Sequence, residues 1–201
     1  PHLPVSIAND MTAAGYRYLQ SSTDSFCLVT VSTGIGNKVY INGQPQLGRS
    51  GSGGEIGHLK VFFEDDAPLC DCGERGHLQA ISSGRGTLNY IQGLASTEPH
   101  LFRKSLLHSL CAEPLELTNV DVCKAFRDGD SFTFNAIEKC AKPLAGVLAS
   151  VHMSIGLDRF IIIGGFAFAM GEKYLTILAR IAQENCWNYP MNWNEMLQFG
   201  L

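Results

Sequence analysis

The clearest hydrophobic signals are two short apolar runs, residues 25–31 (SFCLVTV) and 158–163 (DRFIII). Each ends in a glycine turn, Ser32-Thr33-Gly34-Ile35-Gly36 and Gly164-Gly165, and each reads as a buried strand. Residues 38–41 (KVYI) alternate and predict the next strand, with Asn42-Gly43 as its turn. Residues 4–8 (PVSIA) predict a short strand that runs into Asn9-Asp10 and an Ala-containing stretch, a helix-start pattern. Residues 58–63 (HLKVFF) are strand-like. Helical patterns cover 78–94, two short segments within 101–128 broken near Pro114, and 171–183. The longest spans 131–154, with Ile137, Leu144, Val147, Leu148 and Val151 on one face. Residues 47–54 are rich in Gly and Ser and read as a loop, and 64–68 as a solvated acidic loop. Strands followed by glycine turns and helices predict an α/β layer fold. No internal repeat or low-complexity tract interrupts it.

Composition narrows the class. At 201 residues and 45% hydrophobic content, the chain can build one good-sized domain or a lobe of something larger. A net charge of −4 without a basic run argues against nucleic acid as the main partner. No apolar run approaches the ~18 residues of a membrane helix, and no signal peptide is visible. Seven cysteines at irregular spacing argue against a disulfide framework and for a reducing cytoplasm. Cys27, Cys111, Cys123, Cys140 and Cys186 read as buried, inert thiols. His2, His100, His108 and His152 read as ordinary surface or core residues. The chain starts without Met and stops at 194–201 with no closing helix, so a piece of a longer protein is expected.

The chemistry concentrates between residues 54 and 79. Glu55 and His58 lie in a glycine-flanked segment, and Cys70, Cys72 and His77 follow. With His58 they make four nitrogen or sulfur donors, the number a closed tetrahedral zinc site needs. A hairpin carrying free thiols and surface histidines is the plainer alternative. Gly73 and Gly76 would let the loop turn back. Asn9 and Asp10 fit helix capping, yet a carboxylate where a strand gives way to a helix also fits a catalytic base. The Ser32–Gly36 turn could present N–H groups to an anion, with Thr33 adding a hydroxyl, or simply close a hairpin.

In their order these motifs resemble the ROK family of sugar kinases and sugar-responsive repressors. Carrying the resemblance are Asn9-Asp10, STGIG (32–36), GGEIGH (53–58), CDCGERGHLQA (70–80) with SSGRG (82–86), and IIIGG (161–165). The resemblance implies an α/β, actin-like ATPase (ribonuclease H-like) lobe with an inserted zinc-binding loop at 58–77, residues 1–201 forming the C-terminal lobe of a longer chain. It implies ATP-dependent phosphorylation of a hexose-like sugar, amino sugar or cyclitol. Asp10 would be the general base, and Asn9, Glu55, His58 and Gln79 would hold the substrate alongside it. Thr33, Gly34 and Gly36 would face phosphate, and Gly164 and Gly165 the adenosine. Zn2+ would be structural, bound by His58, Cys70, Cys72 and His77, and Mg2+ would come with ATP. A homodimer is common in the family.

Departures from the pattern sharpen the expectations. His77 replaces the third cysteine of the family's zinc loop, Gln79 replaces a glutamate, and Lys38 stands where a small residue is frequent, facing either solvent or a phosphate. Arg85 reads as a helix-surface cation. The family's N-terminal Asp-x-Gly-Gly-Thr phosphate motif is not in this sequence, so the 201-residue chain alone is expected to be inactive. Two other readings stand beside the kinase: the sugar-sensing domain of a ROK repressor, the one case in which nucleic acid would be a partner, and a module that has lost catalysis.

Overall fold

A computed structural model describes residues 7–187 and 191–200. Its centre is β1 (Phe26–Val31), which pairs antiparallel with β2 (Ile35–Ile41); a two-residue β3 (Gln44–Pro45) lies beyond β2. On the other side β1 pairs in parallel with β4 (Phe160–Ile163), and β4 with β5 (Leu197–Phe199), giving the order β3-β2-β1-β4-β5. The strand predicted at 4–8 lies largely outside the described residues, and Ile7 and Ala8, the described part, are not in a strand.

Ten helices complete the described fold: α1 (Asp10–Tyr16), α2 (Gln79–Ser82), α3 (Gly84–Thr97), α4 (Pro99–Phe102), α5 (Leu106–Leu110), α6 (Asn119–Arg127), α7 (Ser131–Ile155), α8 (Gly165–Met170), α9 (Glu172–Asn185) and α10 (Trp193–Met196). Asp130 caps α7 by accepting from Thr133 N at 2.9 Å, and Gly156 ends it with φ 79°. Along its predicted face Ile137, Leu144, Val147 and Leu148 are buried and Val151 is half-buried.

Alternation along β1 divides the apolar residues between two layers. Cys27, Val29 and Val31 join the main core with α3, α6, α7, α8 and α9. Phe26 and Leu28 face α1 together with Tyr40 and Ile161. There the Phe26 and Tyr40 rings stack with centroids 4.9 Å apart, and Tyr40 donates its hydroxyl to Thr12 O. Burial pushes the Tyr40 phenol up to about 12. Burying such side chains contributes about 1.5–3 kcal/mol each, which fixes α1, and so Asp10, against the sheet.

Several elements differ from the sequence expectation. Residues 58–63 form no strand: a 3-10 turn at Ile56–His58 is followed by one isolated bridge, Lys60 to His77. The helix expected over 78–94 breaks at Ser83, whose extended backbone and hydroxyl (accepting from Gly86 N at 3.1 Å) start α3 afresh. Between 99 and 127 there are three helices rather than two, because Ser105 and Thr118 each cap a new start. Helix α8 follows Gly164 directly, and the closing segment forms α10 and β5 with Trp193 buried. Cys111 and Cys186 are half-buried rather than buried. Burial pushes the Cys27 and Cys140 thiols up to about 12 and Cys123 to about 11, which keeps them unreactive. Among the described residues no helix is long and apolar enough to cross a membrane.

Candidate functional site

A polar cleft of about 550 Å³ opens where β1 ends and β2 begins, and eight of the residues singled out from the sequence line it: Asn9, Asp10, Thr33, Gly34, Gly36, Glu55, His58 and Gln79. Local structure explains the convergence. Asn9 caps α1, its Oδ1 accepting from Met11 N at 2.9 Å, while Asp10 Oδ1 accepts from the same N–H at 2.7 Å. The capping and the catalytic readings of the pair are therefore compatible, since each carboxylate or amide retains lone pairs and both residues are exposed.

Val31 pairs with Ile35, so Ser32, Thr33 and Gly34 form a tight turn closed by Ser32 N to Gly34 O at 2.9 Å. The segment carrying Glu55 is tied to β2 by Asn37 N to Gly54 O at 3.2 Å and Ile56 N to Asn37 Oδ1 at 3.3 Å. Those bonds place the exposed Glu55 and His58 beside the turn.

A second, smaller cavity of about 280 Å³ shares Ser32 and Thr33 with the first and is lined by Asn119, Cys123, Gly165 and Phe166 among others. Gly165 lines this cavity. Gly164 does not; its φ of 106° and close approach to Val31 O turn the chain from β4 into α8. Asn119 Oδ1 is buried there without a partner.

His58, Cys70, Cys72 and His77 gather their ligand atoms within 4.8 Å of one another. The His58 and His77 Nδ1 atoms are 3.4 Å apart, Cys72 Sγ is 3.2 Å from His77 Nδ1, and Cys70 Sγ is 3.9 Å from His58 Nδ1. A tetrahedral ion with the usual Zn–N and Zn–S lengths would set N to N edges near ~3.4 Å and N to S edges near ~3.5 Å, so the donor set fits zinc. Both rings face the cluster through Nδ1, which leaves Nε2 of His58 for the cleft it lines.

The loop is folded by its own backbone: Cys70 N bonds Glu74 O at 2.8 Å, Val61 N bonds Gly76 O at 2.8 Å, and Gly76 N bonds Pro68 O at 2.9 Å. Gly73 and Gly76 both have positive φ, and a Cβ on Gly76 would collide with Phe62 O. Burial raises the Cys70 thiol, but hydrogen bonds from Cys72 N–H and from the Gln79 and Cys72 side chains outweigh it and hold it below its ordinary value.

Two residues go beyond the sequence expectation: Lys38, left between solvent and phosphate, and Gln79, expected only at the substrate. Lys38 is 4% exposed, lines the large cleft and donates to Gly53 O. Gln79 spans the cleft and the His/Cys cluster, its Nε2 donating to Cys70 Sγ at 3.1 Å and its Oε1 accepting from Ile35 N at 3.4 Å. Alternation about Asn37-Lys38 was a signal for the first; nothing local marks the second. Arg85 pairs with Asp71 at the surface, as expected of a helix cation.

The mixed sheet, the glycine turn and the polar cleft beside it have counterparts in known proteins. The ROK family model matches residues 2–193, and the chain belongs to the ROK family. It is 42% identical over 177 residues to a C(7)-cyclitol 7-kinase of Streptomyces hygroscopicus, covering 88% of this chain and 50% of that protein. The crystal structure of a ROK family glucokinase from Streptomyces griseus, in complex with glucose and AMPPNP, superposes with a TM-score of 0.79 at 26% identity, over 98% of this chain and 62% of that one. A ROK family transcriptional regulator, homologous to the E. coli MLC protein, shares the fold with a TM-score of 0.76 at 21% identity, over 98% and 47%. The chain thus spans about half the length of the curated relatives it matches, and its α/β fold matches that of the ROK sugar kinases, which are actin-like ATPase folds.

Proposed function

We propose that residues 1–201 form the C-terminal lobe of a kinase that transfers the γ-phosphoryl group of ATP to a hydroxyl of a hexose-like sugar, amino sugar or cyclitol. The observation that carries this reading is the convergence of the Asp10 carboxylate, the Ser32–Gly36 turn, Glu55 and His58 on one polar cleft. Phosphoryl transfer asks for positioning, charge neutralisation and one base. Asp10 accepts the proton of the attacking hydroxyl at the free oxygen of its carboxylate, while Asn9, Glu55 and His58 Nε2 hold neighbouring hydroxyls. Such paired polar contacts select strongly, because an unmet buried group is costly.

Thr33 and the N–H groups of its turn face the phosphates, and the smaller cavity beyond them, bordered by Gly165, takes the adenosine. Mg2+ arriving with ATP would offset phosphate charge. Zn2+ held by His58, Cys70, Cys72 and His77 would fix the His58 ring and its tautomer.

Identity with a cyclitol kinase supports a cyclitol or closely related ring as acceptor. A repressor's sensing domain could use the same hydroxyl-binding residues, but it has no use for a base, and Asp10 therefore favours the kinase. ADP release by the full-length protein with Mg-ATP, across hexoses, N-acetylhexosamines, amino sugars and cyclitols, tests the reading. Turnover on one of them supports it; sugar binding without turnover on any moves the assignment to the repressor.

A further inference from the structure

Lys38 is a charged side chain in an unusual setting. It lies on β2, paired with Leu28 of the central strand, and is 4% exposed. No described carboxylate pairs with it. Among the described residues its hydrogen-bond partner is Gly53 O, so two of the three ammonium donors stay unused. Alternation puts Gly36, Lys38 and Tyr40 on one face of β2. That face meets α1: Tyr40 bonds Thr12 O, and a Cβ on Gly36 would sit 3.8 Å from Met11 Cγ. Helix α1 begins with Asp10, and Lys38 and Asp10 line the same cleft. Space for the ammonium is made by Gly54, where a Cβ would come within 2.8 Å of Nζ.

A buried ammonium without a counter-charge is costly, and a site that keeps one facing a polar cleft is matched to an anion. We propose that Lys38 is an anion subsite of the cleft that takes an oxygen of the phosphoryl group as it passes from nucleotide to acceptor. The inference rests on the kinase reading above and adds to it a cation supplied by the chain itself. Charge on the phosphoryl oxygens is spread through the transition state, so a fixed ammonium there lowers the barrier more than it strengthens ground-state binding. The bond to Gly53 O holds Nζ in place and anchors the 47–54 loop over the cleft.

The test uses the full-length protein, with Lys38→Met to remove the charge and Lys38→Gln to keep a donor for Gly53 O without it. Both are expected to lower kcat about 10²–10³-fold while acceptor affinity stays within about threefold, the scatter of single-site effects. AMPPNP binding should weaken and adenosine binding should not. A merely structural lysine would move adenosine and acceptor binding along with the rest, or be restored by Lys38→Gln; either result overturns the proposal. Unchanged kcat and AMPPNP affinity in both variants overturns it too, while wild-type turnover leaves the kinase reading standing. If the wild type transfers no phosphate at all, the kinase reading fails. The AMPPNP and adenosine measurements then still decide the anion subsite.

Discussion

Gln79 joins the His58/Cys70/Cys72/His77 cluster to the Ser32–Gly36 turn: its Nε2 donates to Cys70 Sγ at 3.1 Å while its Oε1 accepts from Ile35 N at 3.4 Å. An amide can do both at once, whereas a carboxylate has no donor for the sulfur. Two glycines make room for the head group, since a Cβ on Gly34 or Gly57 would lie 3.0 or 3.1 Å from Oε1. Gln79→Ala is expected to lower zinc affinity about tenfold or more, the usual effect of losing a partner of a metal ligand, and to raise the KM for the acceptor. Competition with a chromophoric chelator and steady-state kinetics check the two effects.

The zinc proposal predicts a dependence of the sugar site on the metal. Chelation should lower the melting temperature and weaken acceptor binding together, because the ion orients His58. Cys70→Ser should cost more than Cys72→Ser, since Cys70 is buried and bonded to Gln79 whereas Cys72 is exposed. Metal analysis and calorimetry of each variant read this out. Equal binding with and without metal would contradict it.

Gly57 packs against the carbonyl of Ile35 so closely that a Cβ would collide with it. Gly57→Ala is expected to destabilise the protein by about 1–3 kcal/mol, the range for forced overpacking, and to move Glu55 and His58 away from the turn. Denaturant unfolding measures the first effect, acceptor affinity the second.

Asp24 supplies a pH dependence. The N–H of Gln20 holds its carboxyl below the ordinary value of 3.8, helped by Ser21 and by Arg159 at 3.3 Å. A depressed native value means stability that is present in full above the ordinary carboxyl range and lost as pH falls through the lower native one. Unfolding measured from pH 6 to about pH 2 should show this acid limb, and Asp24→Asn should flatten it.

The parts of the fold legible in the sequence were those with strong local signals. Strands β1 and β4 are unbroken apolar runs, and α7 repeats its face for 25 residues. Short elements were not legible. Helix α8 has six residues and β5 three, too few to show a period; β5 exists because β4 offers it a partner, and α8 because Phe166, Ala167 and Met170 join the main core. The break at Ser83 was hidden because its hydroxyl acts only once the chain is extended there. At the site, residue types and motif order pointed to Asp10, Glu55, His58 and the cysteines, and the fold brings them to one region. Alternation along β2 records only the face Lys38 lies on; its bond to Gly53 O, 15 positions away, and the bond of Gln79 to Ile35 N, 44 positions away, leave no local pattern.

The most direct test of the central claim compares wild type with Asp10→Asn in the full-length protein. Asparagine keeps an acceptor for Met11 N but cannot take the hydroxyl proton. ADP release with Mg-ATP and the best acceptor should fall about 10²–10⁴-fold, with acceptor and AMPPNP affinities near those of wild type. Turnover by Asp10→Asn equal to wild type would contradict the assignment of Asp10 as the base and of this cleft as the place of phosphoryl transfer.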